Sequence, residues 1–305
     1  MNLEEKILQL KKQKNAVILA HFYQISKIQD IADFVEDSLG LSQKAAKTKA
    51  DIIVFAGVRF MAETAKILNP KKKVIIPDIN AGCSLEESCK FSDLLKFRKE
   101  NPEYKIITYI NSSAEVKTIS DIICTSGNAE KIVNSFDKNE KIMFVPDKNL
   151  GRYINNKTGR NMLLWNGTCK IHDLLKAENV LKLKQQHSEA KIIAHPECNA
   201  AILKIADFVG STAAMLKYIQ EDDNESYIVA TESGIIHQMK KKCKEKKFIH
   251  VALDNTCSCN DCEYMKLNTL EKLYLSLKEE KHEIELDKKI ISQAKKPIKK
   301  MLEIS

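Results

Sequence analysis

Ile31-Ala32-Asp33-Phe34-Val35-Glu36-Asp37-Ser38 returns later in the chain as Ile205-Ala206-Asp207-Phe208-Val209-Gly210-Ser211-Thr212. Between them lies a looser copy, Ile119-Ser120-Asp121-Ile122-Ile123-Cys124-Thr125-Ser126. The shared Asp sets the offsets: 88 residues from Asp33 to Asp121, then 86 residues from Asp121 to Asp207. Repetition at a near-fixed period reports one structural unit used several times, so it is read before any local pattern. Three copies around one axis bring three equivalent loop ends to one point.

Each copy sits among four short apolar runs rich in β-branched residues. The first has Ala16 to Ala20, Ile31 to Val35, Ile52 to Phe55 and Val74 to Ile76. The second has Ile106 to Ile110, Ile119 to Ile123, Ile142 to Val145 and Met162 to Trp165. The third has Ile192 to Ala194, Ala206 to Val209, Tyr227 to Ala230 and Phe248 to Ala252. Spacings of about 15 to 20 residues leave room for one helix in most connections, which reads as βα units and parallel sheets buried on both faces. The similar spacing in each copy predicts an α/β chain of three small αβα domains, each with a four-stranded parallel sheet, over one large doubly wound sheet. The expected division is 1–84 together with 266–305, then 85–172, then 173–265. No Gly/Ser-rich or Pro-rich linker separates the copies, so the domains are expected to dock tightly. The charged, helix-patterned tail from Leu267 onward is expected to pack back on the first of them.

Composition fits this picture. The 305 residues suffice for two or three cores. With 44% hydrophobic and 30% charged residues the chain reads as an ordinary globular protein. No apolar run approaches the roughly 18 residues of a membrane span, so no membrane partner is expected. Met1 to Leu10 reads as the start of an amphipathic helix rather than a signal peptide, and a cytoplasmic location is expected. The net charge of +8 is dispersed and aromatics are only 6%, which disfavours nucleic acid and suits small anionic substrates in a positive cleft. Nine cysteines, an odd number at scattered spacings, make a poor disulfide framework and point to metal binding or catalysis.

In parallel α/β sheets ligands bind beyond the carboxyl ends of the strands. After the first runs stand His21-Phe22-Tyr23, Tyr109-Ile110-Asn111-Ser112 and His195-Pro196-Glu197-Cys198. After the second stand Ser38, Thr125-Ser126 and Ser211-Thr212, near expected helix starts, where backbone N–H groups and a hydroxyl hold phosphate or carboxylate. After the fourth stand Cys83 in Asn80-Ala81-Gly82-Cys83, Cys169 in Asn166-Gly167-Thr168-Cys169, and the group Cys257, Cys259 and Cys262. His21 and His195 occupy matched positions, which favours a functional over a structural role, and Glu197 is the natural general base. Three cysteines do not complete a structural zinc site. An iron–sulfur cluster held by three keeps one iron open as a Lewis acid, suited to eliminating water from hydroxylated substrates. Rival uses of the late group are a zinc knuckle or a redox pair of Cys259 and Cys262. Repeat spacing alone points to Cys257 as the third thiol. Cys89, Cys124, Cys198 and Cys243 read as packing residues.

These stretches together resemble the quinolinate synthase family, the iron–sulfur enzymes of bacterial de novo NAD synthesis. The resemblance is carried by Ala20-His21-Phe22-Tyr23-Gln24, Asp37-Ser38-Leu39, Tyr109-Ile110-Asn111-Ser112, Cys124-Thr125-Ser126-Gly127-Asn128 and His195-Pro196-Glu197-Cys198. It continues through Gly210-Ser211-Thr212, Thr231-Glu232-Ser233-Gly234, Cys262 to Asn268 and Ala294 to Ile298, in order over nearly the whole chain. It implies pseudo-threefold symmetry and a central 4Fe–4S cluster. It also implies condensation of iminoaspartate with dihydroxyacetone phosphate to quinolinate, phosphate and two waters. It makes Cys83, Cys169 and Cys262 the ligands, in place of Cys257. Under it His21, Ser38, Tyr109, Asn111, Ser126, His195, Ser211 and Thr212 would bind carboxylates and phosphate. Glu197, with Tyr23 and Tyr109, would move protons. The pathway implies transient contact with the enzyme that supplies iminoaspartate. Two other readings stand beside it: a zinc-dependent or metal-free aldolase or dehydratase on the same scaffold, and a cysteine-based redox or metal sensor.

Overall fold

The computed structural model describes residues 1–253 and 260–305, so Cys257 and Cys259 lie outside the described residues. Three parallel four-stranded sheets repeat one strand order. The first holds β1 (Ala16–His21), β2 (Phe34–Glu36), β3 (Ile52–Ala56) and β4 (Lys73–Ile75), ordered β2-β1-β3-β4. The second holds β5 (Lys105–Tyr109), β6 (Ile122–Cys124), β7 (Ile142–Val145) and β8 (Leu163–Leu164), ordered β6-β5-β7-β8. The third holds β9 (Lys191–Ala194), β10 (Phe208–Val209), β11 (Ser226–Ala230) and β12 (Lys247–His250), ordered β10-β9-β11-β12. The expected α/β class with three αβα units is what the chain adopts.

Helices flank each sheet. Around the first are α1 (Leu3–Gln13), α2 (Ser26–Ile31), α3 (Ser38–Lys47) and α4 (Arg59–Leu68). Then come α5 (Ser84–Ser88), α6 (Phe91–Glu100), α7 (Ala114–Thr118), α8 (Ala129–Asn134) and α9 (Lys148–Thr158). The third set is α10 (Lys170–Leu174), α11 (Ala177–Gln186), α12 (Ala200–Ile205), α13 (Thr212–Glu221) and α14 (Ile235–Lys242). The tail supplies α15 (Glu263–Lys266), α16 (Leu270–Glu279) and α17 (Lys288–Ile304). No helix among the described residues is long and apolar enough to cross a membrane.

The two-residue period of a strand explains the continuous apolar runs. In β3, Ile53 and Phe55 enter one core while Ile52, Val54 and Ala56 enter another on the opposite face. The third sheet does the same: Ile228 and Ala230 face one core, Tyr227 and Val229 the other. Burying each such side chain contributes about 1.5–3 kcal/mol, enough to fix the register against a one-residue slip.

The second strand of each sheet begins later than its apolar run. Ile31 ends α2, Ile119 caps α7 and Ala206 caps α12. The repeated Asp is the reason. Its carboxylate accepts the backbone N–H of Ile18, Ile106 and Ile192 at 2.8, 2.8 and 2.7 Å in the three copies. Its own N–H donates to the carbonyl of the same residue each time. Pairing then starts one residue later, as Leu19 with Phe34, Ile107 with Ile122 and Ile193 with Phe208. The opening motif is therefore a clasp between the first two strands of each unit.

In the tail, α16 lies on α1, and Leu273 and Leu277 join Ile7 and Ile18 beneath the first sheet. The next helix reaches further. α17 packs chiefly on α7 and β6 of the second unit, with α8, and also on α4 of the first; Ala294, Ile298 and Met301 join a core shared by the two units, and Pro297 is buried beside them.

Candidate active site

The carboxyl ends of the strands open on one cavity. It is lined by His21, Tyr23, Ser38, Cys83, Tyr109, Asn111, Ser126, Cys169, His195, Glu197, Thr212 and Cys262, so residues from all three units meet there. Among the described residues to which the family resemblance gives a binding, catalytic or ligand role, Ser211 is the one outside this lining. Its hydroxyl oxygen caps α13 by accepting the Ala214 N–H at 3.2 Å, and its O–H donates to Asp37. Asp37, not Ser38, caps α3, accepting the Gly40 N–H at 3.0 Å. The caps thus leave Ser38 and Thr212 facing the cavity.

The first-strand ends supply matched donors. Nδ1 of His21 accepts the backbone N–H of Tyr23 at 3.2 Å, and Nδ1 of His195 accepts that of Glu197 at 3.3 Å. With Nδ1 so occupied, each neutral ring carries its proton on Nε2, and His195 donates it to Ser126 Oγ at 3.2 Å. Burial disfavours the charged form and brings both imidazoles down to about 3, with the charge of His195 adding to the effect at His21. Both are neutral hydrogen-bond donors at physiological pH.

Glu197 sits at the centre of a buried network. Tyr109 donates its hydroxyl to Oε1 at 2.5 Å, and Nδ1 of His172 lies 2.8 Å from Oε2. Burial opposes ionisation, but His195, His172 and these two hydrogen bonds outweigh it and hold the carboxyl below its usual range. Burial, with the Glu197 charge, pushes the Tyr109 and Tyr23 hydroxyls well above theirs. His172 Nε2 lies 2.8 Å from Thr231 Oγ1, which lies 2.8 Å from the Tyr23 hydroxyl. A continuous hydrogen-bond path therefore joins Tyr23 to Glu197 through Thr231 and His172.

The three cysteines share a local geometry. Cys83, Cys169 and Cys262 are the N-cap residues of α5, α10 and α15. Their thiols face backbone N–H groups of the following turn: Leu85 and Glu86, His172, and Tyr264 and Met265 respectively. Amides and the positive end of a helix favour thiolate, while burial opposes it. Burial wins here, pushing Cys83 and Cys169 well up and Cys262 to about 11, so each thiol holds its proton until a cation replaces it. Two buried carboxylates brace these turns. Glu232 accepts the Cys262 N–H at 3.1 Å and pairs with Lys266 at 2.7 Å. Asp147 caps α9 through Leu150 at 2.8 Å and faces the amide of Cys169.

Among the described residues, the group whose donor atoms all lie within 4.8 Å of one another is Cys169, His172 and Glu197. Sequence reasoning passed over His172, Thr231, Asp147 and Glu232. The spacing Cys169-x-x-His172 was the available signal, because the third residue after an N-cap returns to the cap's face. Cys89, Cys124 and Cys198 are buried in the core, as expected of packing residues.

A family model described as Quinolinate synthetase A protein matches residues 5–303. The quinolinate synthase of Microcystis aeruginosa is 55% identical over 299 residues, spanning 98% of this chain and 94% of the relative. That of Trichodesmium erythraeum is 54% identical over 304 residues, spanning 100% and 94%. That of Cyanophora paradoxa is 53% identical over 296 residues, spanning 97% and 90%. The chain belongs to the quinolinate synthetase A protein family, a family of enzymes.

Proposed function

We propose that the chain condenses iminoaspartate with dihydroxyacetone phosphate to give quinolinate, phosphate and two waters, as an enzyme of NAD synthesis. The observation that carries this reading is the meeting of three cysteine N-caps, one from each unit, with two neutral histidines and a buried Tyr–Glu–His network in one cavity. The reading takes the units as 1–84 with 266–305, 85–172 and 173–265.

The donor set suits a 4Fe–4S cluster. Three soft thiols point inward, each with helix N-terminal amides to support negative charge on sulfur. Cys83, Cys169 and Cys262 would hold it, and an open iron would supply Lewis acidity toward a substrate oxygen or nitrogen. Both substrates are anions. His21 and His195, through Nε2–H, and Ser38, Asn111, Ser126 and Thr212, through their side chains, would anchor carboxylate and phosphate oxygens, with Ser211 setting the start of α13. Neutral imidazole donors bind anions without supplying protons at neutral pH.

Condensation and two dehydrations require protons to leave carbon and return to departing oxygen. Glu197, ionised and hydrogen-bonded on both oxygens, would accept the proton. Tyr109 would follow the charge on Glu197, and Tyr23 would exchange protons with it through Thr231 and His172. Glu197, Tyr109, Thr231 and His172 are buried and Tyr23 is half-buried, which limits the access of bulk water to the reactive imine.

The test is direct. Anaerobically prepared, iron-loaded protein is mixed with dihydroxyacetone phosphate and iminoaspartate formed in place from oxaloacetate and ammonium, and quinolinate is measured by mass spectrometry. Product formation that needs both substrates is expected; iron-loaded protein that makes none would overturn the proposal.

A further inference from the structure

We propose that Cys169, His172 and Glu197 form a second metal site, for one tetrahedral divalent cation of the zinc class, which shares Cys169 with the iron–sulfur cluster and excludes it. The ion site stands on its own geometry; the exclusion rests on the cluster reading above. His172 Nδ1 lies 3.2 Å from Cys169 Sγ and 2.8 Å from Glu197 Oε2. Zinc bonds of about 2.0–2.3 Å put donor atoms roughly 3.2–3.8 Å apart; the two contacts to Nδ1 need open only by a few tenths of an ångström, and Cys169 Sγ and Glu197 Oε2 lie within 4.8 Å of each other. Thiolate, imidazole and carboxylate are each zinc ligands, and all three residues line the cavity.

The surroundings are those of a built site. Thr231 holds His172 by the ring nitrogen away from the ion, at 2.8 Å, and Tyr109 holds the outer oxygen of Glu197. Partners of this kind orient metal ligands and raise their affinity. His172 is fully buried and Glu197 nearly so. On binding, Cys169 releases its thiol proton to solvent, while neutral His172 coordinates through Nδ1 and keeps its one ring proton on Nε2, which donates to Thr231. Cys169 brings one thiolate, so an ion held there takes the ligand that the second unit would give the cluster, and it also breaks the Tyr23–Glu197 path. Zinc-loaded chain is thereby closed to cluster assembly.

The experiment uses the full chain stripped of iron anaerobically and titrated with Co2+ as a spectroscopic probe. One equivalent should bind, with a sulfur-to-cobalt charge-transfer band and tetrahedral d–d bands. Cys169→Ser and His172→Gln should each weaken binding at least 100-fold, and Thr231→Val about 10-fold; Cys83→Ser should leave it unchanged. Binding that survives Cys169→Ser and His172→Gln, or is lost with Cys262→Ser, puts the ion on the late cysteines and overturns the site, as does the lack of stoichiometric binding. In the second arm, one equivalent of zinc should block iron uptake by the wild type and not by His172→Gln. Unimpeded uptake would overturn the exclusion. Chain that never loads iron would count against the cluster reading, with the cobalt result still legible.

Discussion

At the amino ends of the second strands, Asp33, Asp121 and Asp207 do one job three times, each clasping the backbone of the first strand. At the carboxyl ends, matched positions hold His21-Phe22-Tyr23, Tyr109-Ile110-Asn111 and His195-Pro196-Glu197: a histidine recurs at the first position of two copies, and the third position differs in all of them. Where the task is to close a sheet, one solution serves every copy. Where side chains enter the cavity, the copies share some groups, as with His21 and His195, and differ in others, as with Tyr23, Asn111 and Glu197. The cysteines are intermediate: the same residue and the same N-cap geometry in each unit, with different braces behind them.

Substitutions at the two ends should therefore fail in different ways. The largest effect is expected for Glu197→Gln, which keeps shape but removes the ionised carboxylate. The catalysed rate should fall about 10²–10⁴-fold with melting temperature and iron content near wild type. Turnover that stays near wild type would remove Glu197 from the proton path. Asp207→Ala should do the reverse. Losing a charged acceptor for the Ile192 N–H should lower stability by about 1.5–3 kcal/mol in urea unfolding, with near-normal turnover by the folded fraction. A loss of turnover without loss of stability would break the contrast.

A surface pair away from both ends sets the scale. Glu280 pairs with Lys14 on the turn after α1 and with Lys73 on β4. These hydrogen bonds hold its carboxyl at about 2, below its ordinary value. A depressed folded value stabilises only while the unfolded carboxyl would also be ionised. The benefit of wild type over Glu280→Gln should therefore be present at pH 7, shrink from about pH 4.5 downward and vanish near pH 2. Its size is expected to be about 0.5–1 kcal/mol, as for other exposed pairs. An undiminished difference at pH 2 would assign it to packing.

Much of the scaffold was legible because it is written three times. The apolar runs, the repeated Asp and the four-stranded units follow from period and spacing, and nearly every polar residue placed at a strand end does line the cavity. Elements that occur once were harder to read. α17 shows an amphipathic face, but periodicity does not say against what; it reaches the second unit as well as the first. His172 and Thr231 meet each other across 59 residues of chain, a contact that local pattern does not reveal. Asp147 and Glu232 follow β7 and β11, while β3 runs into Gly57 and Val58, so the first unit has no acid to make the pattern visible. The late starts of β2, β6 and β10 were hidden because the Asp clasp is a tertiary bond, and hydrophobicity alone extends a strand through it.

The central claim is that one thiol from each unit holds a 4Fe–4S cluster, and iron with acid-labile sulfide per chain after anaerobic reconstitution tests it most directly. Wild type and Cys257→Ser should each retain about four irons and a brown absorption band, whereas Cys83→Ser, Cys169→Ser and Cys262→Ser should each lose most of both. Full iron and sulfide in any of these three single variants, or wild-type chain that takes up no cluster, would contradict the account.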